Sequence, residues 1–202
     1  MQFVREKGWE MSAEIAHERG LFPNFKGSIY DHANGPRLRN ATVTTVAPTG
    51  TLSIIAGCSS GIEPLFALSY ERHILGDVKL PEVYDYFLGV AKKRGFSSDE
   101  LLMRVTAGES IQRMSDVPDD VKRVFVTAFD IAPEWHVRTQ AAFQRHTDNA
   151  VSKTINFPPQ AAKEDVRKAF LLAYQEGVKG ITIFRSGSKS EQVLTCADPL
   201  YC

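Results

Sequence analysis

An α/β fold is predicted, and three observations predict it. Residues 41–47 (Ala-Thr-Val-Thr-Thr-Val-Ala) are dense in β-branched residues and flanked by turn formers, as strands are. Residues 149–184 have the order and length of a strand–helix–strand unit, which a parallel crossover needs. Of the 202 residues, 43% are hydrophobic and 24% charged, which fits a soluble chain with one core.

Each element follows from local pattern. Over residues 1–19, Phe3, Val4, Trp9, Met11 and Ile15 stand among charges, and Gly20 is a stop, so a helix is expected. Pro23, Gly27, Gly35 and Pro36 make residues 20–39 a loop. The strand at 41–47 ends at Pro48. A short helix is expected to start near Ser53 and reach Ala56, with loop over 57–64 and extended chain over 65–75. Pro81 is suited to a first helical position, with a helix to Arg94 and Gly95 as its stop. Ser97 or Ser98, then Asp99 and Glu100, open a helix to Ala107. Pro118 opens another to Phe129, and Pro133 a further one to His146.

Residues 151–157 read as a second strand, closed by Pro158 and Pro159. The clearest helix is 160–176, with Ala162, Val166, Ala169, Phe170 and Ala173 at helical spacing. Gly177 ends it, and residues 178–184 form a third strand. Beyond Leu194 the chain is expected to be a flexible tail, 195–202. Three strands are too few for a free-standing parallel sheet with both faces covered. The chain therefore reads as part of something larger.

Composition narrows the function. Lysine plus arginine number 24, as do aspartate plus glutamate, so no global attraction to nucleic acid or membrane is expected. No run of 18 or more apolar residues exists to span a bilayer. Three cysteines, Cys58, Cys196 and Cys202, are too few and odd for a secreted disulfide framework. The first twenty residues are too charged for a signal peptide, and a cytoplasmic protein is expected. His17, His32 and His73 are isolated, and His136 and His146 lack the spacing that puts two ligands on one helix face, so no protein-held metal is expected. Cys58 reads as a small buried hydrophobe.

Two loops carry chemistry. Pro48, Thr49, Gly50, Thr51, Leu52 and Ser53 follow a strand and precede a helix start. Exposed N–H groups there, with hydroxyls beside them, suit a phosphate. On spacing alone, an ordinary strand–helix turn with Ser and Thr caps is the more economical reading. The second loop runs from Gly57 to Pro64. Gly61, Ile62 and Glu63 could wall a site, with Glu63 held extended by the following proline. A tight turn with a solvated glutamate explains the same residues.

These segments resemble a known family. Arg39-Asn40-Ala41-Thr42 through Pro48-Thr49-Gly50-Thr51, and on to Gly57-Cys58-Ser59-Ser60-Gly61-Ile62-Glu63-Pro64, is similar to the phosphate-binding region of class II ribonucleotide reductases, the adenosylcobalamin (vitamin B12)-dependent enzymes. Asp148 through Asn156 resembles a later strand of their barrel, and Gly177 through Arg185, continuing to Leu194, the last strand and its exit. The resemblance covers residues 1–194. It implies the C-terminal part of a ten-stranded α/β barrel, with several added helices. It also implies ribonucleotide reduction to deoxyribonucleotides for DNA synthesis. Pro48, Thr49, Gly50, Thr51, Leu52 and Ser53 would hold the substrate diphosphate, and Gly61, Ile62 and Glu63 would wall the substrate site. The implied partners are a ribonucleoside diphosphate, a dithiol reductant and adenosylcobalamin. Reductases that import their radical carry adjacent tyrosines on the strand matching the last one; Ile183 and Phe184 offer no phenol, which favours local radical generation by the cobalamin.

The sequence also departs from that family. The radical cysteine sits in an Asn-x-Cys-x-Glu pattern there, whereas Ala56 and Ser60 flank Cys58 two residues away on either side. No catalytic residue is therefore assigned. A separate chain carrying the N-terminal barrel half, with the radical cysteine and most cobalamin contacts, is the expected partner. Cys196 and Cys202 are candidates for a tail redox pair, although five residues separate them. A non-catalytic nucleotide-binding or regulatory fragment, or a truncated remnant, are the alternatives.

Overall fold

The computed structural model describes residues 1–74, 78–188 and 194–195. The chain opens with α1 (Gln2–Arg19), which stops at Gly20, whose φ of 78° suits glycine. Below it Phe22, Phe25 and Leu38 form a small apolar cluster, so the Pro- and Gly-containing loop is packed rather than loose.

Residues 41–47 are extended, but their pairing is reduced to one parallel bridge between Val46 and Val151. The N–H groups of Asn149 and Ser152 donate to the carbonyls of Thr44 (3.0 Å) and Val46 (2.8 Å). The expected strand is cut short because the Asp148 carboxylate takes the N–H groups of Val43 and Thr44, at 2.8 and 3.3 Å. Those donors are then lost to a sheet ladder. Helix α2 (Gly50–Ala56) begins three residues earlier than expected and ends at Gly57, with φ 62°.

Next comes an antiparallel hairpin of β1 (Ser69–Ile74) and β2 (Val78–Val83), in register from Ser69↔Val83 to Ile74↔Val78. Pro81 lies inside β2, opposite Glu71, and does not open a helix. β2 is an edge strand, where a residue without an N–H is tolerated. The helix starts later, as α3 (Asp85–Arg94), and Gly95 ends it as expected, with φ 77°. Helix α4 (Asp99–Thr106) is capped by Ser98, whose hydroxyl accepts from the Leu101 N–H at 3.0 Å. Helix α5 (Asp119–Val124) is shorter than expected. It gives way to a 3-10 turn over 128–130, because the Asp130 carboxylate caps Thr127 through both its N–H (2.9 Å) and its hydroxyl (2.7 Å).

Helix α6 (Pro133–Gln144) leads to the crossover: β3 (Thr154–Phe157), α7 (Lys163–Gln175) and β4 (Thr182–Arg185). β3 and β4 are parallel, from Thr154↔Thr182 to Phe157↔Arg185. This strand–helix–strand unit is the one the sequence predicts, with both strands shorter at their starts. A final strand, β5 (Leu194–Thr195), pairs antiparallel with β1, so Thr195, the first residue of the expected tail, sits opposite Glu71.

Two larger cores result. One lies among the added helices, where Phe87, Leu101, Val105, Ile111, Met114 and Val121 are buried. The other seals the crossover, with Val137 of α6 and Ala169 and Ala173 of α7 against Ile155 and Phe157 of β3. Full burial of each large apolar side chain is worth about 1.5–3 kcal/mol. Helix α6 also fixes the crossover by hydrogen bonds: Gln140 Nε2 donates to the carbonyls of Val151 (2.9 Å) and Gly180 (2.8 Å).

Candidate functional site

The expected phosphate loop emerges where the 41–47 segment leaves its parallel contact with Val151. Pro48 and Gly50 are exposed and Thr49 is half-buried. The first intrahelical bond of α2 is from the Ser53 N–H to the Thr49 carbonyl, at 2.9 Å. The N–H groups of Gly50, Thr51 and Leu52 precede it, so helix geometry leaves them without intrahelical acceptors. Nothing lies within 4 Å of where a Cβ on Gly50 would sit, so the chain is open to a ligand there. Ser53 is turned to its own backbone, its hydroxyl donating to the Gly50 carbonyl at 2.6 Å.

The second loop packs directly on the first. Thr49 donates its N–H to Ser60 Oγ at 3.2 Å, and the two hydroxyls are 2.9 Å apart. Gly61 has φ 55°, and a Cβ on it would meet the Ala47 carbonyl oxygen at 3.6 Å and Thr49 Oγ1 at 3.9 Å. Glycine there lets the loop turn left-handed beside the backbone of the first loop. Ile62 is half-buried.

Glu63 is anchored rather than solvated. Its Oε1 accepts the Thr154 N–H at 2.5 Å, and its Oε2 accepts from Lys153 Nζ at 2.5 Å. The lysine side chain is 2% exposed and also donates to the Thr154 carbonyl. Burial pushes the Lys153 ammonium below its ordinary value, and the Glu63 carboxylate opposes that shift. His136 lies close by, its Nε2 3.0 Å from the Ala128 carbonyl oxygen. Burial, then the positive charge of Lys153, hold its pKa below the ordinary 6.5.

The structure therefore brings together Thr49, Ser60, Gly61 and Glu63 in one place, at the mouth of β3. Cys58 is exposed, not the buried hydrophobe expected, because it lies past the end of α2 in a loop with nothing packed over it. Cys196 and Cys202 lie outside the described residues. Among those residues, no group of three His, Cys, Asp or Glu is placed to bind a metal. No helix is long and apolar enough to cross a membrane, again among the described residues.

Sequence reading missed Lys153 as the partner of Glu63. The signal was present in the period of two. Val151, Lys153, Ile155 and Phe157 share one parity, and all four are buried. A buried lysine in the run that leads into β3 needs a carboxylate partner.

A strand-end pair of loops over a parallel crossover, with this sequence, defines the class. The chain belongs to the ribonucleotide reductase family: the model of that family's barrel domain matches residues 34–184. Among its relatives is the vitamin B12-dependent ribonucleoside-diphosphate reductase of Thermoplasma acidophilum, 45% identical over 195 residues, which cover 96% of this chain and 25% of the relative. The enzyme of the same name from Mycobacterium tuberculosis is 45% identical over 199 residues, covering 98% of this chain and 28% of that one. The chain thus spans about a quarter of the length of these curated relatives. The barrel fold is shared with the class Id ribonucleotide reductase alpha subunit of Actinobacillus ureae, with a TM-score of 0.72 over 92% of this chain and 33% of that one, at 22% identity.

Proposed function

We propose that this chain supplies the substrate-diphosphate site of an adenosylcobalamin-dependent ribonucleoside-diphosphate reductase, which makes deoxyribonucleotides for DNA synthesis. One observation carries the reading: the open start of α2, where the N–H groups of Gly50, Thr51 and Leu52 come before the first helical bond and nothing lies within 4 Å of where a Cβ on Gly50 would sit. Such groups neutralise and orient an anion without a bulky side chain. In this reading Pro48 and Thr49 set the approach, Ser53 braces the turn, and Gly61, Ile62 and Glu63 form the adjoining wall. A diphosphate held here fixes the ribose relative to the barrel interior.

Adenosylcobalamin, when bound, supplies the radical that starts reduction. In this reading residues 48–53 offer backbone N–H groups to an anion and are not assigned to the cobalamin. The radical cysteine and most of the cobalamin contacts are assigned to a partner chain carrying the N-terminal barrel half, and reducing equivalents to a dithiol. Cys196 and Cys202 are proposed as the relay that takes those equivalents in.

Two substitutions test the loop. Gly50→Glu places a negative charge in the anion site and is expected to weaken nucleoside diphosphate binding by about a hundredfold or more. Thr51→Val removes one hydroxyl and is expected to weaken it by about fivefold, the worth of one hydrogen bond. Unchanged affinity in both variants, measured by calorimetry on the assembled enzyme, contradicts the assignment.

A further inference from the structure

A continuous line of contacts joins a buried lysine to the open loop. Lys153 Nζ donates to Glu63 Oε2 at 2.5 Å, and the Thr154 N–H holds the other carboxylate oxygen at 2.5 Å. The Glu63 N–H donates to the Ser60 carbonyl at 2.8 Å. Ser60 Oγ then accepts the Thr49 N–H at 3.2 Å and lies 2.9 Å from the Thr49 hydroxyl. Thr49 is the residue from which α2 and its open N–H groups begin. The Glu63 contacts cross ninety residues of sequence and the Thr49–Ser60 contacts close the two neighbouring loops on each other, so together they set where the first loop sits relative to β3.

A buried ion pair is a poor source of stability. Desolvation offsets most of its attraction, and an apolar pair of similar size often does as well. The Lys153–Glu63 pair is better understood through the geometry it imposes. A rigid carboxylate between a strand N–H and an ammonium leaves the 60–63 turn one position to occupy. That turn presents a hydroxyl to Thr49.

We propose that Lys153 is a positioning residue for the phosphate loop, acting through Glu63 and Ser60. This rests on the reading of residues 48–53 as the diphosphate site. Lys153 touches no phosphate in this scheme. It holds the acceptor that orients Thr49, and the N–H groups of Gly50, Thr51 and Leu52 are thereby aimed before the ligand arrives. Preorganised donors bind more tightly because less ordering is left to the binding step. The ligand class is a diphosphate ester, and inorganic pyrophosphate is its simplest probe.

The test is a pyrophosphate titration of the 202-residue chain, followed by the amide resonances of Gly50, Thr51 and Leu52. Melting temperatures are recorded in parallel. Lys153→Met is expected to raise the dissociation constant by about fivefold or more in the folded chain. Ser60→Ala removes the hydroxyl without stranding a charge. It is expected to give a similar rise with little change in melting temperature, while Ser60→Thr, which keeps the hydroxyl, stays near wild type. Should Lys153→Met fail to fold, the Ser60 pair decides alone. Gly50→Glu separates the two layers of the claim. If it abolishes binding while Lys153→Met and Ser60→Ala leave the constant within about twofold, the positioning role is overturned and the loop assignment stands. If wild-type amides do not respond, or Gly50→Glu has no effect, the loop assignment falls and the positioning role with it.

Discussion

Lys153, just before β3, occupies a position that the alternating pattern of residues 151–157 reserves for an apolar side chain, and its partner lies ninety residues away. Such a pair is legible only in part. The parity of 151, 153, 155 and 157 shows that the lysine points inward, but no local pattern says which carboxylate meets it. The glycine and proline neighbours of Glu63 mark a turn in the sequence; the carboxylate's anchoring by Lys153 and the Thr154 N–H depends on the fold. His136 has the same character. It is 1% exposed, bonded to the Ala128 carbonyl and near both Lys153 and Glu63. Its folded pKa lies below the ordinary 6.5, so the unfolded chain binds more protons between the folded value and 6.5. Stability therefore rises with pH through that window, is level for this group above about 6.5, and is lost on acidification. Replacing His136 by Gln is expected to flatten the slope of stability as pH falls below about 6.5, as read by denaturant melts at several pH values. An unchanged slope would show that His136 is not the titrating group.

At the scale of elements, helices with clean stops are legible in the sequence and segments with competing hydrogen bonds are not. Gly20, Gly95 and Ser98 mark real helix ends because backbone conformation or a side-chain cap fixes them locally. Pro81 misleads because proline suits two places, a helix start and an edge strand, and only the neighbouring strand decides between them. The 41–47 strand shrinks to one bridge because a distant carboxylate, Asp148, captures its donors. The crossover of β3, α7 and β4 is legible because its pattern is long and its core is its own. Its outside support is not: Gln140 sits on α6 and bonds the Val151 and Gly180 carbonyls at once. Gln140→Leu would leave two carbonyls without that donor. A loss of about 1–3 kcal/mol is expected, measured by chemical unfolding. A loss below about 0.5 kcal/mol would mean that water replaces the amide.

The whole molecule has the substance of a folded unit, yet parallel strands are few among its described residues. β3 and β4 pair with each other, and residues 44–46 touch 149–152 through one bridge. The exposed apolar residues of α2, Leu52, Ile54 and Ile55, stand beside the proposed site. That arrangement matches a chain spanning about a quarter of its relatives' length. The strand count legible in the sequence carries the same expectation, since three strands cannot make a parallel sheet with both faces covered.

The most direct measurement is a ribonucleoside-diphosphate reductase assay with adenosylcobalamin and a dithiol. It is run on this chain alone, on the N-terminal portion of a vitamin B12-dependent reductase alone, and on the two together. The expected result is deoxynucleotide formation only in the mixture, lost when this chain carries Gly50→Glu. Turnover that the Gly50→Glu chain supports as well as the wild type, or no turnover from a mixture shown to be folded and assembled, would contradict the assignment of this chain as the substrate-diphosphate part of the enzyme.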